Sequence, residues 1–435
     1  MNDVRTQCKT SVHFPVPYLM CRAPQVSRCT VSFTGMLLQL QLEYADRPSA
    51  VVFSLVLTAV SILGRLFSHA AASAVLTALL LAASPVVAGQ TRVSNPTLRI
   101  ELPTDNEALF EGDGPAFYQY TDRVIRPGVA PPWTGGKYGF VRNIHVVRGN
   151  VIYSRFHEGV DIRPLRRSSS GEPLDEVRSI DDGVVAYVNR RASTSSYGHY
   201  VVIEHWWGGA PYYSLYAHLA NLDVDIGQAV ARGEKIGQLG YTGVGINRRR
   251  AHVHLEINLL VNQSFQAWYD THYSNHVPNY HGIFNGRNLL GLDVSELFLG
   301  LRQDSLLTIP EFLSRQEPFF EVTVPGGEML DILWRYPWLS PELDSWSYLF
   351  GPVPEPGASW IISFARSGLP LHIESTEEPV DEPQVLVLKQ TTIPYQYLTN
   401  GLVRGTGSNY SLSASGRRLI DLITRPSPDW RDPSF

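Results

Sequence analysis

Residues 251–257 read AHVHLEI, two histidines separated by one valine. In an extended strand successive side chains alternate faces, so His252, His254 and Glu256 share one side while Val253, Leu255 and Ile257 point to a core. Two neighbouring imidazoles on one sheet face admit two readings: a solvated face with incidental histidines, or part of a metal site. Alone, an HxH pair does not decide between them. The hundred residues before it do set the fold class. GVVAYV, YVVIEHW, YYSLYAH, IGQLG and HVHLEI are short β-branched or aromatic runs separated by Gly-containing turns, which predicts an antiparallel β-sheet, sandwich or barrel between about 155 and 257. The polar stretch RRSSSGEPLDEVRS (166–179) interrupts them as a loop.

The segment RFHEGVDI (155–162) bears on the histidines. His157 and Asp161, with a glycine between them, can reach one ion from an extended, turned segment. With one histidine of the HxH pair they make a His₂Asp set. Three protein ligands leave a tetrahedral Zn²⁺ one open position, the arrangement of catalytic zinc sites. Zinc lowers the pKa of water from about 15.7 toward 7 and polarises a carbonyl. Glu158 beside His157 invites comparison with HExxH, but position 161 is Asp and Gly159 disfavours a helix there. No cysteine can contribute: the three, Cys8, Cys21 and Cys29, lie near the N-terminus without metal-ligand or disulfide spacing.

A third block, SLYAHLANLDVDIGQAVARGEKIGQLGYTG (214–243), contains His218. FHEGVDI, DDGVVAYV, YGHYVVIEH, LYAHL, the Gly-spaced 224–243 run and AHVHLEI occur in that order, and together they resemble the lysostaphin/LytM-type zinc endopeptidases of bacterial peptidoglycan. The resemblance covers roughly 139–257, under a third of the chain. It implies one Zn²⁺ per chain held by His157, Asp161 and His254. It also implies His252 as general base and His218 as a second active-site histidine that orients water or stabilises charge on the scissile carbonyl. The implied substrates are peptidoglycan stem peptides and cross-bridges. His199 stands where the family often has Asn, and NRRRA (247–251) replaces the common Gly-Pro approach. His199 and Arg250 are therefore candidate substrate contacts; the alternative is a surface ring and a solvated charge run. His205 is expected to pack in the core or at an edge.

At 435 residues the chain has room for two or three domains. Its net charge of −5 gives no broad electrostatic footprint for nucleic acid. The first 88 residues read as a leader. Arg65, the apolar run 70–83 and the small residues before Gly89 suit an export signal cleaved near Ala88, and residues 1 to about 60 suit an over-extended start. Neither that run nor the apolar stretch 50–64, separated from it by Arg65 and His69, reaches the roughly 18 residues of a membrane span, so no stable span is expected in a mature, secreted or periplasmic chain. Residues 89–138 read as a wrapping segment with a strand at Thr97–Leu102, and 139–289 as the peptidase domain, with 268–288 irregular. Residues 290–435 read as an α+β accessory domain with helices at Ile309–Arg315, Gly327–Arg335 and 413–423. The accessory domain suggests wall binding, a regulatory protein partner or a lid. The fold expected is thus mainly β, an antiparallel LytM-type catalytic domain plus a C-terminal α+β domain. Two rivals stand beside the enzyme. One is a non-catalytic relative that activates another wall hydrolase, disfavoured because all five site residues are present. The other is a biotinyl-type carrier, disfavoured because Lys235 lies within a run and not at a hairpin tip.

Overall fold

The computed structural model of the chain describes residues 28–33, 36–41, 98–121, 130–273, 277–340, 357–407 and 409–427. The chain forms two compact units, 1–91 and 92–435. In the first, β1 (Arg28–Phe33) and β2 (Met36–Gln41) pair antiparallel, within the stretch read from sequence as leader. The expected export signal, 65–89, lies outside the described residues. No helix among the described residues is long and apolar enough to cross a membrane.

In the second unit, residues 98–102 form no strand, contrary to expectation. Their backbone is engaged singly: Glu101 N–H donates to Ile180 O at 2.9 Å. A single helical turn, α1 (Gly114–Phe117), is capped by Asp113 and buries Phe117 in the main core. A hairpin not expected from sequence follows, β3 (Gly139–Val147) and β4 (Asn150–His157). Its two-residue loop is Arg148-Gly149, both with positive φ (50° and 80°), as the twist-matched hairpin turn requires.

Next come β5 (Val160–Ile162), β6 (Glu176–Arg178), β7 (Gly183–Asn189), β8 (Tyr200–Trp207), β9 (Ala210–Ala217), β10 (Asn221–Leu222), β11 (Ala229–Val230), β12 (Lys235–Gln238), β13 (Val253–Leu260) and β14 (Leu289–Gly291). The main sheet is antiparallel throughout, in the order β11-β7-β8-β9-β13-β14, with β5 also on β13. A smaller sheet is ordered β10-β12-β6. Every residue of β13 is buried; β9 pairs along one edge while β5 and β14 share the other, and apolar clusters pack on both faces. Alternation holds within it: Val253, Leu255, Ile257 and Leu259 enter the large core, whereas Leu260 joins a second cluster with Tyr200, Val202, Tyr213 and Leu215.

Residues 268–288 are not all irregular. Helix α2 (Phe265–Tyr273) forms there, its polar and aromatic residues held by tertiary contacts that override weak local preference. It is followed by α3 (Val294–Gln303), α4 (Ile309–Ser314, with a Thr308/Glu311 capping box), β15 (Phe320–Pro325), α5 (Asp331–Arg335), β16 (Ser359–Phe364), β17 (Pro370–Thr376), β18 (Gln384–Val387), β19 (Val403–Thr406), β20 (Asn409–Leu412) and α6 (Ala414–Thr424). Ser413 Oγ caps α6 by accepting from Ser415 and Gly416 N–H. Strands β15–β18 make an antiparallel sheet ordered β17-β16-β15-β18, and β19 pairs with β20. The fold class is mainly antiparallel β, with an α+β C-terminal region.

Candidate metal centre

Register brings the site together. Asp161 on β5 lies directly opposite His254 on β13, and His254 opposite Ala217, the residue before His218. The β4–β5 connection returns His157 to the same spot, and it can do so because residue 159 is glycine. A Cβ there would stand 2.3 Å from Leu255 O, a backbone atom that cannot yield. His218 follows β9 in a left-handed conformation (φ 63°), a strained placement for a non-glycine residue that turns its ring toward His252, with centroids 4.7 Å apart.

Asp161 Oδ1 is 3.1 Å from His157 Nε2, 2.9 Å from His254 Nδ1 and 3.4 Å from His252 Nε2, and His157 Nε2 is 3.1 Å from His254 Nδ1. His157, Asp161 and His254 are all buried, and their ligand atoms lie within 4.8 Å of one another. The outward nitrogens settle the tautomers. His157 Nδ1–H donates to Lys137 O (2.7 Å), His252 Nδ1–H to Arg250 O (2.7 Å) and His218 Nδ1–H to Thr242 O (2.9 Å). Each of those carbonyls can only accept, so each proton is fixed on the outer nitrogen. His254 Nε2–H likewise donates to Glu256 Oε1 at 2.7 Å. The other nitrogen faces inward, Nε2 in three rings and Nδ1 in His254; without a metal that Nδ1 also carries a proton, which it donates to Asp161 Oδ1 at 2.9 Å and which a metal would displace.

Glu256, on the same face of β13 as His254, is itself held. Tyr197 Oη donates to Oε1 (2.8 Å) and Asn258 Nδ2 to Oε2 (3.0 Å). Burial would favour protonation of Glu256, yet the His254 bond outweighs it and holds the carboxyl below its usual range. Burial also disfavours a charged His254, but hydrogen bonds to Asp161 and Glu256 prevail and push it up to about 10. His157 is lowered to about 4, by burial foremost and by the nearby Arg142 charge. Burial and the neighbouring His252 and His254 rings hold His218 well below the usual histidine range. Against the cost of its burial, Asp161 is held well below the usual carboxylate range by His157, His252 and Arg142.

Among the described residues the structure brings His157, Asp161, His254, His252 and His218 together. His199 instead donates its backbone N–H to Thr242 Oγ1 at 2.9 Å, and its Nδ1 has no hydrogen-bond partner. Arg250 bonds its own loop through Gly245 O (3.1 Å); its contribution to the site is the backbone carbonyl that fixes His252. The neighbouring arginines have partners as well: Arg248 pairs with Glu172 at 3.2 Å and Arg249 lies over the Tyr120 ring. Arg167, from the loop after Asp161, donates to Arg248 O at 2.7 Å, so the two loops lean on each other. His205 is wholly buried. Sequence reasoning did not find Arg142, whose Nη2 donates to Asp161 Oδ2 at 2.6 Å, nor Tyr197. Arg142 belongs to no motif, and only the β3–β4 pairing delivers it.

Residues 155–266 match the profile of Peptidase family M23. Over 113 residues the chain is 32% identical to the Cell division protein DipM of Caulobacter vibrioides, a match covering 24% of this chain and 16% of that one. Among solved structures, a zinc-containing peptidase from Vibrio cholerae is 30% identical, covering 33% of this chain and 36% of that chain with a TM-score of 0.21. The catalytic domain of lysostaphin from Staphylococcus simulans is 22% identical, covering 29% and 82%, with a TM-score of 0.20. The chain thus spans well under two thirds of the curated relative it matches. Residues 155–266 are therefore similar to Peptidase family M23.

Proposed function

We propose that the protein is an exported zinc metalloendopeptidase that hydrolyses peptide cross-links of bacterial peptidoglycan. The observation that carries this reading is the cluster of three potential ligand atoms, His157 Nε2, His254 Nδ1 and Asp161 Oδ1, 2.9–3.1 Å apart, with the outer nitrogen of each imidazole committed elsewhere. Ligands at about 2.0–2.2 Å from a tetrahedral zinc stand roughly 3.3 Å from one another, so the donor set fits the ion in type, number and spacing. Zinc, when bound, supplies Lewis-acid polarisation of a carbonyl and acidification of water.

The remaining chemistry belongs to the chain's own residues. His252, protonated at Nδ1 by its bond to Arg250 O, offers Nε2 to take a proton from water and return it to the leaving amine. His218 is fixed in the same sense by Thr242 O. A neutral ring with an Nε2 lone pair accepts a hydrogen bond and cannot donate one from that atom, and burial keeps it neutral. His218 therefore suits orientation of water better than stabilisation of an oxyanion. The likeness to DipM, a cell division protein, supports action in the cell envelope. It also keeps the non-catalytic regulator in view as the second reading.

The test is digestion of isolated sacculi of several cross-link chemistries, with released muropeptides read by mass spectrometry beside a His254→Ala control. New uncross-linked peptides absent from the control are expected. Silence on every wall by a protein that binds no zinc would favour the regulator.

A further inference from the structure

The two oxygens of Asp161 face different partners. Oδ1 looks toward the three inward imidazole nitrogens, while Oδ2 accepts from Arg142 Nη2 at 2.6 Å. Arg142 is anchored a second time, with Nε donating to Gly135 O at 2.9 Å. It sits at the irregularity in β3–β4 pairing between Phe140 and Arg142. That hairpin is held from its other side: the Arg366 guanidinium lies 4.3 Å from the Phe140 ring centroid, and the His145 and Tyr397 rings are 4.9 Å apart. A charge-assisted bond this short, made by a doubly tethered guanidinium, fixes the plane of the carboxylate.

We infer that Arg142 is a positioning residue of the metal centre: it holds Asp161 Oδ2, so that the carboxylate meets the metal through Oδ1 alone. The inference rests on the reading of His157, Asp161 and His254 as metal ligands. A carboxylate free of Arg142 can turn to offer both oxygens. That would fill the position a catalytic zinc site keeps open, and outer partners of this kind set both ligand geometry and affinity. Arg142 Nη2 also lies 3.1 Å from His157 Nε2. Since Nδ1–H is committed to Lys137 O, that contact uses the same lone pair the metal would take. Metal binding must break it while leaving the Asp161 and Gly135 bonds in place.

The test uses the whole protein loaded with zinc or with cobalt(II), whose visible absorption is strong in four-coordinate and weak in five-coordinate sites. Arg142→Gln is the informative variant. Its amide nitrogen ends near the position of Arg142 Nε, so the Gly135 bond is retained while Asp161 is out of reach. Expected results are a strong cobalt spectrum for the unsubstituted protein and a weakened one for Arg142→Gln. Zinc affinity, measured by chelator competition, should fall about 10–100-fold, and kcat should fall more than KM rises. Arg142→Lys, whose ammonium can reach Asp161, should restore the strong spectrum. An unchanged spectrum and affinity in Arg142→Gln overturns the inference, as does a Lys variant no better than the Gln one. Should Arg142→Gln not fold, the carboxylate stretches of the zinc-loaded unsubstituted protein decide, with aspartate isotopically labelled. Wide splitting marks a one-oxygen ligand, and narrow splitting overturns the inference. If the unsubstituted protein binds no metal that His254→Ala removes, the metal-centre reading itself fails and this inference falls with it.

Discussion

At the residue scale the site is defined by where protons cannot go. Outer partners fix the protons of four rings, and a variant tests each role by what it leaves bound. His254→Ala and Asp161→Ala should each lose zinc and activity. His252→Ala should keep zinc, measured by metal analysis, and lose about 10²–10⁴-fold in kcat; near-normal turnover would show that the base is another group. Glu256→Gln keeps the shape but weakens the acceptor on His254 Nε2, so zinc affinity should drop about 10–100-fold while the fold survives. A fifth histidine, remote from these, makes a separate prediction. His205 is wholly buried, with Nδ1–H donating to Asp182 O (2.8 Å), Nε2 at 2.6 Å from Ser214 Oγ, and Trp207 stacked on the ring. Burial lowers its pKa to about 4, against the smaller opposing pull of Asp182. The unfolded chain, with a pKa of about 6.5, therefore binds the proton more readily. Stability from this group is complete above pH 6.5 and is lost as pH falls toward 4, by about 3 kcal/mol in all. Urea unfolding between pH 7.5 and 4.5 should show a shallower loss for His205→Gln than for the unsubstituted protein. Parallel curves would sink the assignment, since the other titrating groups contribute equally to both.

At the element scale β13 is the spine, bonded to β9 along one edge and to β5 and β14 along the other. Its contact with β5 depends on the bare backbone at Gly159. Gly159→Ala puts a methyl against Leu255 O, so β5 must move off β13 and carry Asp161 with it. The expected cost is about 1–3 kcal/mol in thermal or urea unfolding, with weaker zinc binding measured alongside; unchanged zinc binding would mean that the β4–β5 turn relaxes without moving Asp161. This is also the scale at which the sequence was most and least readable. Strand alternation in HVHLEI and the glycine within HEGVD are local signals, and five site residues could be picked from them and from the family resemblance. The β3–β4 hairpin carries no Asn-Gly or Asp-Gly turn; its loop is Arg148-Gly149, so Arg142 was invisible. Tyr197 reaches Glu256 across 59 residues, a distance no spacing rule covers. Helix α2 was missed because its stability is tertiary: Trp268 Nε1 donates to Arg418 O (2.9 Å), and His272 meets Asp421 at 2.7 Å. At 98–102 the reverse happened: Leu98, Ile100 and Leu102 alternate as in a strand, yet no strand among the described residues pairs with them and Glu101 N–H bonds singly to Ile180 O.

At the scale of the whole second unit, the region beyond residue 290 closes the end of β13. Arg335 is buried on α5, where it donates from Nε to Leu260 O (3.2 Å) and from Nη2 to Val261 O (2.8 Å) and to the carboxylate of Asp331. Asp331 in turn accepts from Gln263 N–H at 2.9 Å, and Asn262 Nδ2 donates to Leu422 O and Arg425 O at 2.9 and 2.8 Å. The strand that carries His254 thus ends in polar groups whose partners come from 331–335 and 422–425. Removing those partners leaves buried carbonyls and an amide unsatisfied, each worth roughly 1–3 kcal/mol, so the peptidase sheet should not be stable without them. Arg335→Met isolates the largest contribution. It strands the buried Asp331 charge, and breaking such a pair from one side costs about 3–5 kcal/mol. The double variant Asp331→Leu/Arg335→Met removes both charges together and should cost less than Arg335→Met alone, because the desolvated carboxylate is gone. Calorimetry of the unsubstituted protein should give one transition for residues 92–435. Arg335→Met should lower that transition as a whole without splitting it. A split transition, with the peptidase sheet melting at its original temperature, would show that the C-terminal region is a separable module and that β13 does not need it.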